Sequence, residues 1–157
     1  MASRLPPEIL TLLEAPDTVK ALGTVGPDGV PHVTYKGSLR ADGAGNLVFA
    51  ELIEASTTNR NLTWSIWFRK PVTITLLAAD RRSFQIHGLP VKAHVSGPLF
   101  EKCYRDLRAR LGDVDVSTVW VVEPTGWADE TPAVRLAAAE RDHPLLKHVD
   151  RFVKTSE

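Results

Sequence analysis

The middle of the chain holds the densest group of side chains able to bind an anion. The group consists of Ser56, Thr57, Thr58, Asn59, Arg60 and Asn61. At a strand-to-helix junction, hydroxyl groups and the free N–H groups of the first helical turn point to one place, at the positive end of the helix dipole. The sequence therefore predicts an anion site here. Because Ser and Thr are also favoured as helix caps, a capping role for Ser56 or Thr57 alone is the alternative.

A strand and a helix must position these residues. Residues 46–51 have the pattern of a strand, residues 63–68 form an aromatic helical run, and Lys70-Pro71 opens a further strand at 72–76. The loop between strand and helix would then carry the polar group at its end. We therefore expect the anion site at the beginning of the helix.

Strand patterns continue on both sides of this unit. Alternation of apolar and polar residues predicts strands at 18–25, 30–39, 83–95 with a bulge or corner near 88–90, and 117–123. Turn residues separate them at 26–29, 42–46 and 124–126. Helical spacing predicts helices at 6–14, 98–111, 132–140 and 144–154, with Cys103 facing the core and Gly112 ending the second of them. Five or six strands joined mainly by short turns indicate a small antiparallel barrel.

Composition limits the classes of function. The chain has 157 residues, and 19 Lys+Arg balance 19 Asp+Glu, which argues against a nucleic-acid or membrane surface as its main binding partner. No stretch approaches the roughly 20 apolar residues of a membrane span, and residues 1–7 lack the apolar run of a signal peptide. A lone cysteine forms no internal disulfide. We expect a cytoplasmic protein with a single domain over 1–157.

Several common enzyme sites are not expected. No pair of histidines has the helical i, i+4 spacing of a zinc site, and there is no cysteine pair. The histidines are His32, His87, His94, His143 and His148. Neither a Gly-x-Ser-x-Gly nucleophile motif nor a phosphate-binding P-loop occurs. The sequence therefore favours neither a metalloenzyme nor a hydrolase.

Five short motifs follow one another between residues 28 and 88. They are D-G-V-P-H-V-T at 28–34, L-V-F-A-E at 47–51, S-T-T-N-R-N-L at 56–62, K-P-V-T-I at 70–74 and I-H-G at 86–88. Their order and spacing resemble the FMN-binding split-barrel family related to pyridoxamine 5'-phosphate oxidase. The resemblance covers about half of the chain.

The resemblance implies a mainly β fold, a six-stranded antiparallel split barrel with flanking helices. It also implies a homodimer with one FMN in each of two clefts at the subunit interface. The implied cofactor-binding residues are Val33, Thr34, Tyr35 and Lys36 beside the isoalloxazine ring, Ala50 and Glu51 at the ring and ribityl chain, and Ser56, Thr57, Thr58, Arg60 and Asn61 at the phosphate.

Two departures from the family pattern affect these expectations. Thr57 and Thr58 stand where the family usually has Arg and Lys, so the positive charge for the phosphate must come from Arg60, Lys36, Arg69 or Lys70. The oxidase's C-terminal Trp- and Arg-rich motif has no counterpart at 127–157. Pyridoxamine phosphate is therefore not the expected substrate.

The function implied is that of an FMN-dependent oxidoreductase. It would pass hydride or electrons between a reduced nicotinamide and a small-molecule acceptor. No catalytic acid or base is assigned; Tyr35, His32 and Glu51 are candidates by location only. The alternative is a non-catalytic split-barrel protein that holds haem, another phosphorylated cofactor, or no ligand.

An aromatic cluster follows the predicted phosphate loop. Trp64, Trp67 and Phe68 could cover the flavin ring or seal the dimer. Ordinary packing in the core or at an interface is the alternative, because buried aromatic side chains are common at such contacts.

Overall fold

The alternating apolar residues form strands that join in one antiparallel sheet. The computed structural model describes residues 4–153. Within that range the strands are β1 (Val19–Val25), β2 (Pro31–Tyr35), β3 (Arg40–Ala41), β4 (Leu47–Glu51), β5 (Val72–Leu77), β6 (Ser83–His94) and β7 (Thr118–Asp129). Their order across the sheet is β2-β1-β5-β6-β7-β4-β3, and all neighbouring pairs are antiparallel.

Helices flank the curled sheet. They are α1 (Pro7–Glu14), α2 (Thr57–Phe68), α3 (Pro98–Leu111) and α4 (Pro132–Asp142), with a 3-10 turn at Val149–Phe152. Three of the helices begin at a proline, whose fixed φ suits the first helical position. The prediction for α3 is confirmed at both ends, since Gly112 follows it with a φ of 83°. Among the described helices, none combines the length and apolar character needed to cross a bilayer.

Apolar residues bury β4 on both of its faces. Leu47 and Phe49 belong to the main core, which also includes residues of α1, α2 and the other long strands. Val48 and Ala50 pack on the opposite face, in a second cluster with Cys103 and residues of α3 and β7. The predicted core position of Cys103 is confirmed. This double burial fixes β4, and with it the chain that leads into α2.

The link between β2 and β3 joins the two edges of the sheet. The Lys36 N–H donates to the Lys20 carbonyl of β1 at 2.9 Å, and Ser38 Oγ accepts from the Ala50 N–H of β4 at 2.9 Å. The sheet therefore curls into a half-barrel. The Leu39 N–H bonds back to the Lys36 carbonyl at 3.1 Å, so the strand predicted at 30–39 already ends at Tyr35, and a separate short strand, β3, follows at Arg40–Ala41. With β3, residues 4–153 contain seven strands instead of the predicted six.

A bulge corrects the turn predicted at 124–126. Gly88 of β6 lies opposite Pro124, whereas His87 lies opposite Gly126, so Thr125 is an extra residue in β7. Pro124 has no N–H to donate, and a bulge tolerates that loss. The strand therefore continues to Asp129. The bulge predicted near 88–90 is confirmed by register shifts between His87 and Gly88 and between Pro90 and Lys92.

The helix predicted at 144–154 is wrong within the described residues. Only the 3-10 turn Val149–Phe152 forms there, and Lys154 lies outside the described residues. Leu145 and Leu146 are exposed, so no tertiary packing supports a helix, and a short isolated helix is marginal in water. The helix predicted at 132–140 is confirmed as α4.

We expect Gly88→Ala to destabilise the fold. A Cβ at this position would lie 2.5 Å from Val122 Cγ1 and 2.9 Å from the Glu123 carbonyl oxygen. Forcing extra atoms into a packed site costs about 1–3 kcal/mol, which urea unfolding would measure. Gly43→Ala is the control, because apart from its two chain neighbours its Cβ would meet no atom of the described residues within 4 Å. Equal unfolding free energies for the two variants would contradict the described packing of the bulge.

Candidate functional site

The first turn of α2 forms the centre of the candidate site. Ser56 is the N-cap residue, and its Oγ accepts a hydrogen bond from the Asn59 N–H at 3.0 Å. The capping role predicted for Ser56 is therefore confirmed. Thr57 and Thr58 occupy the next two positions, where helix geometry leaves the backbone N–H groups without intrahelical acceptors. One residue provides the cap while its neighbours keep free donors for an anion.

Two of the predicted phosphate residues anchor the helix to the barrel. Thr58 is buried, and its Oγ1 lies 3.2 Å from Nε2 of His32 on β2. Asn61 is also buried, and its Nδ2 donates to Thr24 Oγ1 at 3.1 Å. Their side chains therefore hold α2 against β1 and β2. The groups left at the surface for an anion are the backbone N–H groups and the side chains of Thr57 and Arg60.

The structure separates the four basic residues that could balance a phosphate. Arg60 is exposed beside the first turn, and its Nη2 donates to Thr57 Oγ1 at 3.3 Å. Arg69 and Lys70 follow the other end of the 12-residue helix, about 18 Å away at 1.5 Å per residue. Lys36 is buried in an ion pair with Glu51. Of the four, Arg60 alone can serve the first turn of α2.

The Lys36–Glu51 pair connects two other predicted parts of the site. Nζ of Lys36 lies 2.5 Å from Oε2 of Glu51, with side-chain exposures of 9% and 5%. Glu51 Oε1 also accepts from the Ile53 N–H at 3.2 Å, and the Ser56 N–H donates to the Ile53 carbonyl at 3.1 Å. A continuous set of contacts thus runs from the end of β2 through the end of β4 to the cap of α2.

Strand β2 presents an edge beside this loop that no other strand within residues 4–153 pairs with. It pairs with β1 on one side, and the sheet order ends there. Val33 and Tyr35 point to solvent, with Tyr35 76% exposed, whereas Thr34 is half-buried. An edge strand keeps backbone donors and acceptors free. Those groups could bind the polar rim of a planar ligand.

The aromatic cluster on α2 does not belong to the core. Trp67 is 79% exposed and Phe68 is exposed as well. The alternative that they pack in the core is therefore wrong for both residues. Trp64 is half-buried, and its ring centroid lies 5.4 Å from that of Phe68. These rings remain available for a ligand or for a second protein chain.

Residues 36–39 contain a site feature that could not be predicted from local sequence patterns. Ser38 Oγ accepts a hydrogen bond from the Ala50 backbone N–H. Ala50 is expected to contact the flavin, so this N–H is already bonded within the protein. The nearest local signal was the polar stretch Lys36-Gly37-Ser38. Nothing in that stretch identifies its partner on β4, which is distant in sequence.

Comparisons with known proteins agree on the fold. No protein-family model matches the sequence, and no curated protein matches it significantly. Similar solved structures include HupZ of Group A Streptococcus, which is 16% identical with a TM-score of 0.68 over 82% of this chain and 95% of HupZ. An FMN-binding protein of Syntrophomonas wolfei is 14% identical with a TM-score of 0.62, over 77% of this chain and 85% of that protein.

A third similar structure is HutZ, the haem storage protein of Vibrio cholerae. It is 18% identical with a TM-score of 0.59, and the match covers 81% of this chain and 95% of HutZ. The chain has the fold of the FMN-binding split-barrel proteins, as the resemblance in the sequence predicted. At these sequence identities the similarity establishes the fold but does not identify a ligand.

We expect Lys36→Met to destabilise the protein by about 3–5 kcal/mol, because it leaves Glu51 as a buried charge without its partner. The double variant Lys36→Met/Glu51→Gln should lose less, since Gln is neutral and retains an oxygen for the Ile53 N–H. Lys102→Met is the control: its pair with Asp106 is 2.6 Å long but exposed, so the loss should stay within about 1 kcal/mol. Urea unfolding measures all three. Equal losses for the two single variants would contradict a desolvated Lys36–Glu51 pair.

Proposed function

We propose that this protein is an FMN-binding flavoprotein that acts as an oxidoreductase on a small-molecule substrate. The proposal rests on one observation: β2, the end of β4 and the first turn of α2 lie side by side. The His32–Thr58 and Lys36–Glu51 contacts join them. The split-barrel fold shared with an FMN-binding protein supports it.

The residues of the first turn of α2 fit a phosphate group. Free N–H groups at a helix N-terminus bind phosphate, and the helix dipole favours its negative charge. Thr57 can add a hydroxyl donor, and Arg60 can add one guanidinium. Because Thr57 and Thr58 replace two cationic residues of the related family, a larger share of the binding must come from neutral donors. We expect FMN affinity to depend strongly on Arg60 for this reason.

The remaining residues would orient the cofactor. The free edge of β2 can direct backbone groups at Thr34 and Tyr35 toward the rim of a flavin ring, while buried Ala50 gives the ring a smooth surface. Bound flavin supplies the transfer of hydride or single electrons. The Lys36–Glu51 pair keeps the ends of β2 and β4 together, so both surfaces stay in place. Glu51 is therefore a positioning residue in this proposal.

A homodimer is part of the proposal. The elements that build the site expose large apolar side chains, including Val33 and Tyr35 on β2 and Trp67 and Phe68 on α2. Exposed apolar groups of this size on neighbouring elements are typical of protein–protein interfaces. A second copy of the chain would cover them and enclose the cleft.

A haem-binding protein without catalytic activity is the alternative, and the fold shared with HutZ supports it. The two candidates differ in the visible spectrum of the reconstituted protein. Bound flavin gives absorption bands at about 370 and 450 nm. A tight complex with haemin, together with a colourless sample after incubation with FMN, would favour the alternative.

We expect Arg60→Gln to raise the Kd for FMN about tenfold to a hundredfold, because a hydrogen bond to a charged group contributes about 1.5–3 kcal/mol. The Kd for riboflavin, which lacks the phosphate, should not change. Titrations followed by visible absorbance measure both. Arg69→Gln, at the opposite end of α2, is the matched control and should bind FMN like the natural protein. An equal change for FMN and riboflavin would show that Arg60 does not contact the phosphate.

We expect the 17.3 kDa chain to sediment at twice its mass, and Tyr35→Glu/Trp67→Glu to sediment as a monomer with weakened FMN binding. The added charges would have to be buried at the interface. Leu111→Glu, which changes an exposed residue at the end of α3, is the control and should remain dimeric. A monomeric natural protein that still binds FMN tightly would contradict a shared cleft.

A further inference from the structure

A second site is indicated by a cavity of about 540 Å³ on the side of the barrel covered by α3. It lies between the end of α1, the start of β1, the β2–β3 link and α3. Its charged lining residues are Lys20, Arg40 and Arg110 against Glu14 and Asp106. The lining therefore has an excess of positive charge. Its volume is in the range of pockets for small organic ligands, about 300–1,000 Å³.

The cationic groups of this cavity keep unused hydrogen-bond donors. Nζ of Lys20 donates to the Leu13 and Leu39 carbonyls, and an ammonium group has a third N–H. Arg40 Nη2 donates to Cys103 Sγ at 2.9 Å. Within residues 4–153, neither Arg40 nor Arg110 forms an ion pair with an acidic side chain.

Other charges on α3 are already balanced. Arg105 pairs with Glu101 at 3.0 Å and Arg108 pairs with Asp113 at 2.8 Å. Asp106, the acidic lining residue of α3, pairs with Lys102 at 2.6 Å. The arginines of α3 that face away from the cavity are thus paired, whereas Arg110 at the cavity has no carboxylate of residues 4–153 within ion-pair distance, and Asp106 acts on it only from further away. An anionic ligand would balance it.

A buried hydroxyl adds a second, independent indication. Thr18 lines the cavity and is 7% exposed, and its Oγ1 has no hydrogen-bond partner in the described part of the chain. It precedes Lys20 by two residues, so the two side chains lie on the same face of the extended chain. Buried polar groups are nearly always satisfied, so an unsatisfied one at a cavity points to a missing partner.

The environment of Lys20 agrees with a missing anion. Burial lowers the pKa of Lys20 below its ordinary value; nearby Glu14 raises the pKa and Arg110 lowers it further. A negative group beside Nζ would offset the loss of water and the repulsion from Arg110.

We propose that this cavity binds the anionic end, a carboxylate or a phosphate, of a small organic molecule. Lys20, Arg40 and Arg110 supply the charge, and Thr18 supplies a hydroxyl. Ala50 lines the cavity and also belongs to the candidate flavin site, so a molecule held here would lie next to the cofactor. Its role as the substrate rests on the proposed flavin function, whereas anion binding does not.

The test uses the full chain and three ring compounds of similar size. Phenyl phosphate and benzoate carry the two candidate anionic groups, and benzyl alcohol is the neutral control. Calorimetry gives each Kd, and amide chemical shifts show whether Thr18 and Lys20 respond. We expect one or both anions to bind and shift these amides, and the neutral compound to bind at least tenfold more weakly. The better-bound anion identifies the preferred group.

Two variants of lining residues and one control variant locate the binding. Arg110→Gln should raise the Kd of the better-bound anion about tenfold, whereas Arg105→Gln, on the paired side of α3, should leave it unchanged. Thr18→Val should weaken the anion without lowering the melting temperature of the free protein, because its hydroxyl has no partner to lose. Equal binding of benzyl alcohol, an unchanged Kd in Arg110→Gln, or no binding of either anion would overturn the proposal.

The same samples separate this inference from the flavin function. If the anions bind as expected while the protein stays colourless with FMN, the anion site stands and its role as a substrate site fails. If the protein binds FMN while both anions fail to bind, the flavin function stands and the anion site fails.

Discussion

The ion pair between Lys36 and Glu51 is the interaction on which the arrangement of the site depends. It joins the end of one edge strand to the end of a strand near the other edge, and Lys36 Nζ also lies 5.9 Å from the ring centroid of Phe49. A buried pair contributes little net stability compared with apolar residues, because both charges lose water. Its contribution is to specify position, because a closure of the sheet that left either charge buried without its partner would be strongly unfavourable. The same pairing withdraws Lys36 from any anion.

Helix α2 has different roles at its two ends. Its first turn faces the loop after β4, with Ser56 as cap, Thr58 and Asn61 as anchors, and Arg60 as an exposed cation. Its last turn exposes two large aromatic rings. The polar end is suited to an anion and the apolar end to a large hydrophobic contact. A cofactor with a charged tail and a flat ring, bound near a second copy of the chain, is compatible with both.

Local patterns predicted the parts of the fold that local forces determine. The spacing of Phe100, Cys103 and Leu107 defined α3, and Ser56 was recognisable as a cap because the side chain bonds to its own helix. Two features that could not be predicted involve partners distant in sequence. Nothing near Pro124 shows that it faces the bulge at Gly88, and nothing near Lys36 shows that Glu51 neutralises it. Burial and pairing across the sheet decide both, and neither leaves a periodic signal in one sequence.

The double burial of β4 also affects how the chain reaches its native state. The strand's partner β7 lies nearly half the chain further on, and α3, which covers its outer face, is made only shortly before. During synthesis β4, which is apolar on both faces, therefore stays exposed until α3 and β7 have been made. Such distant pairings slow folding, and exposed strands associate with other chains in the meantime. The double burial of β4 fixes the loop before α2 in the folded protein. The same apolar faces make the unfinished chain prone to aggregate during synthesis.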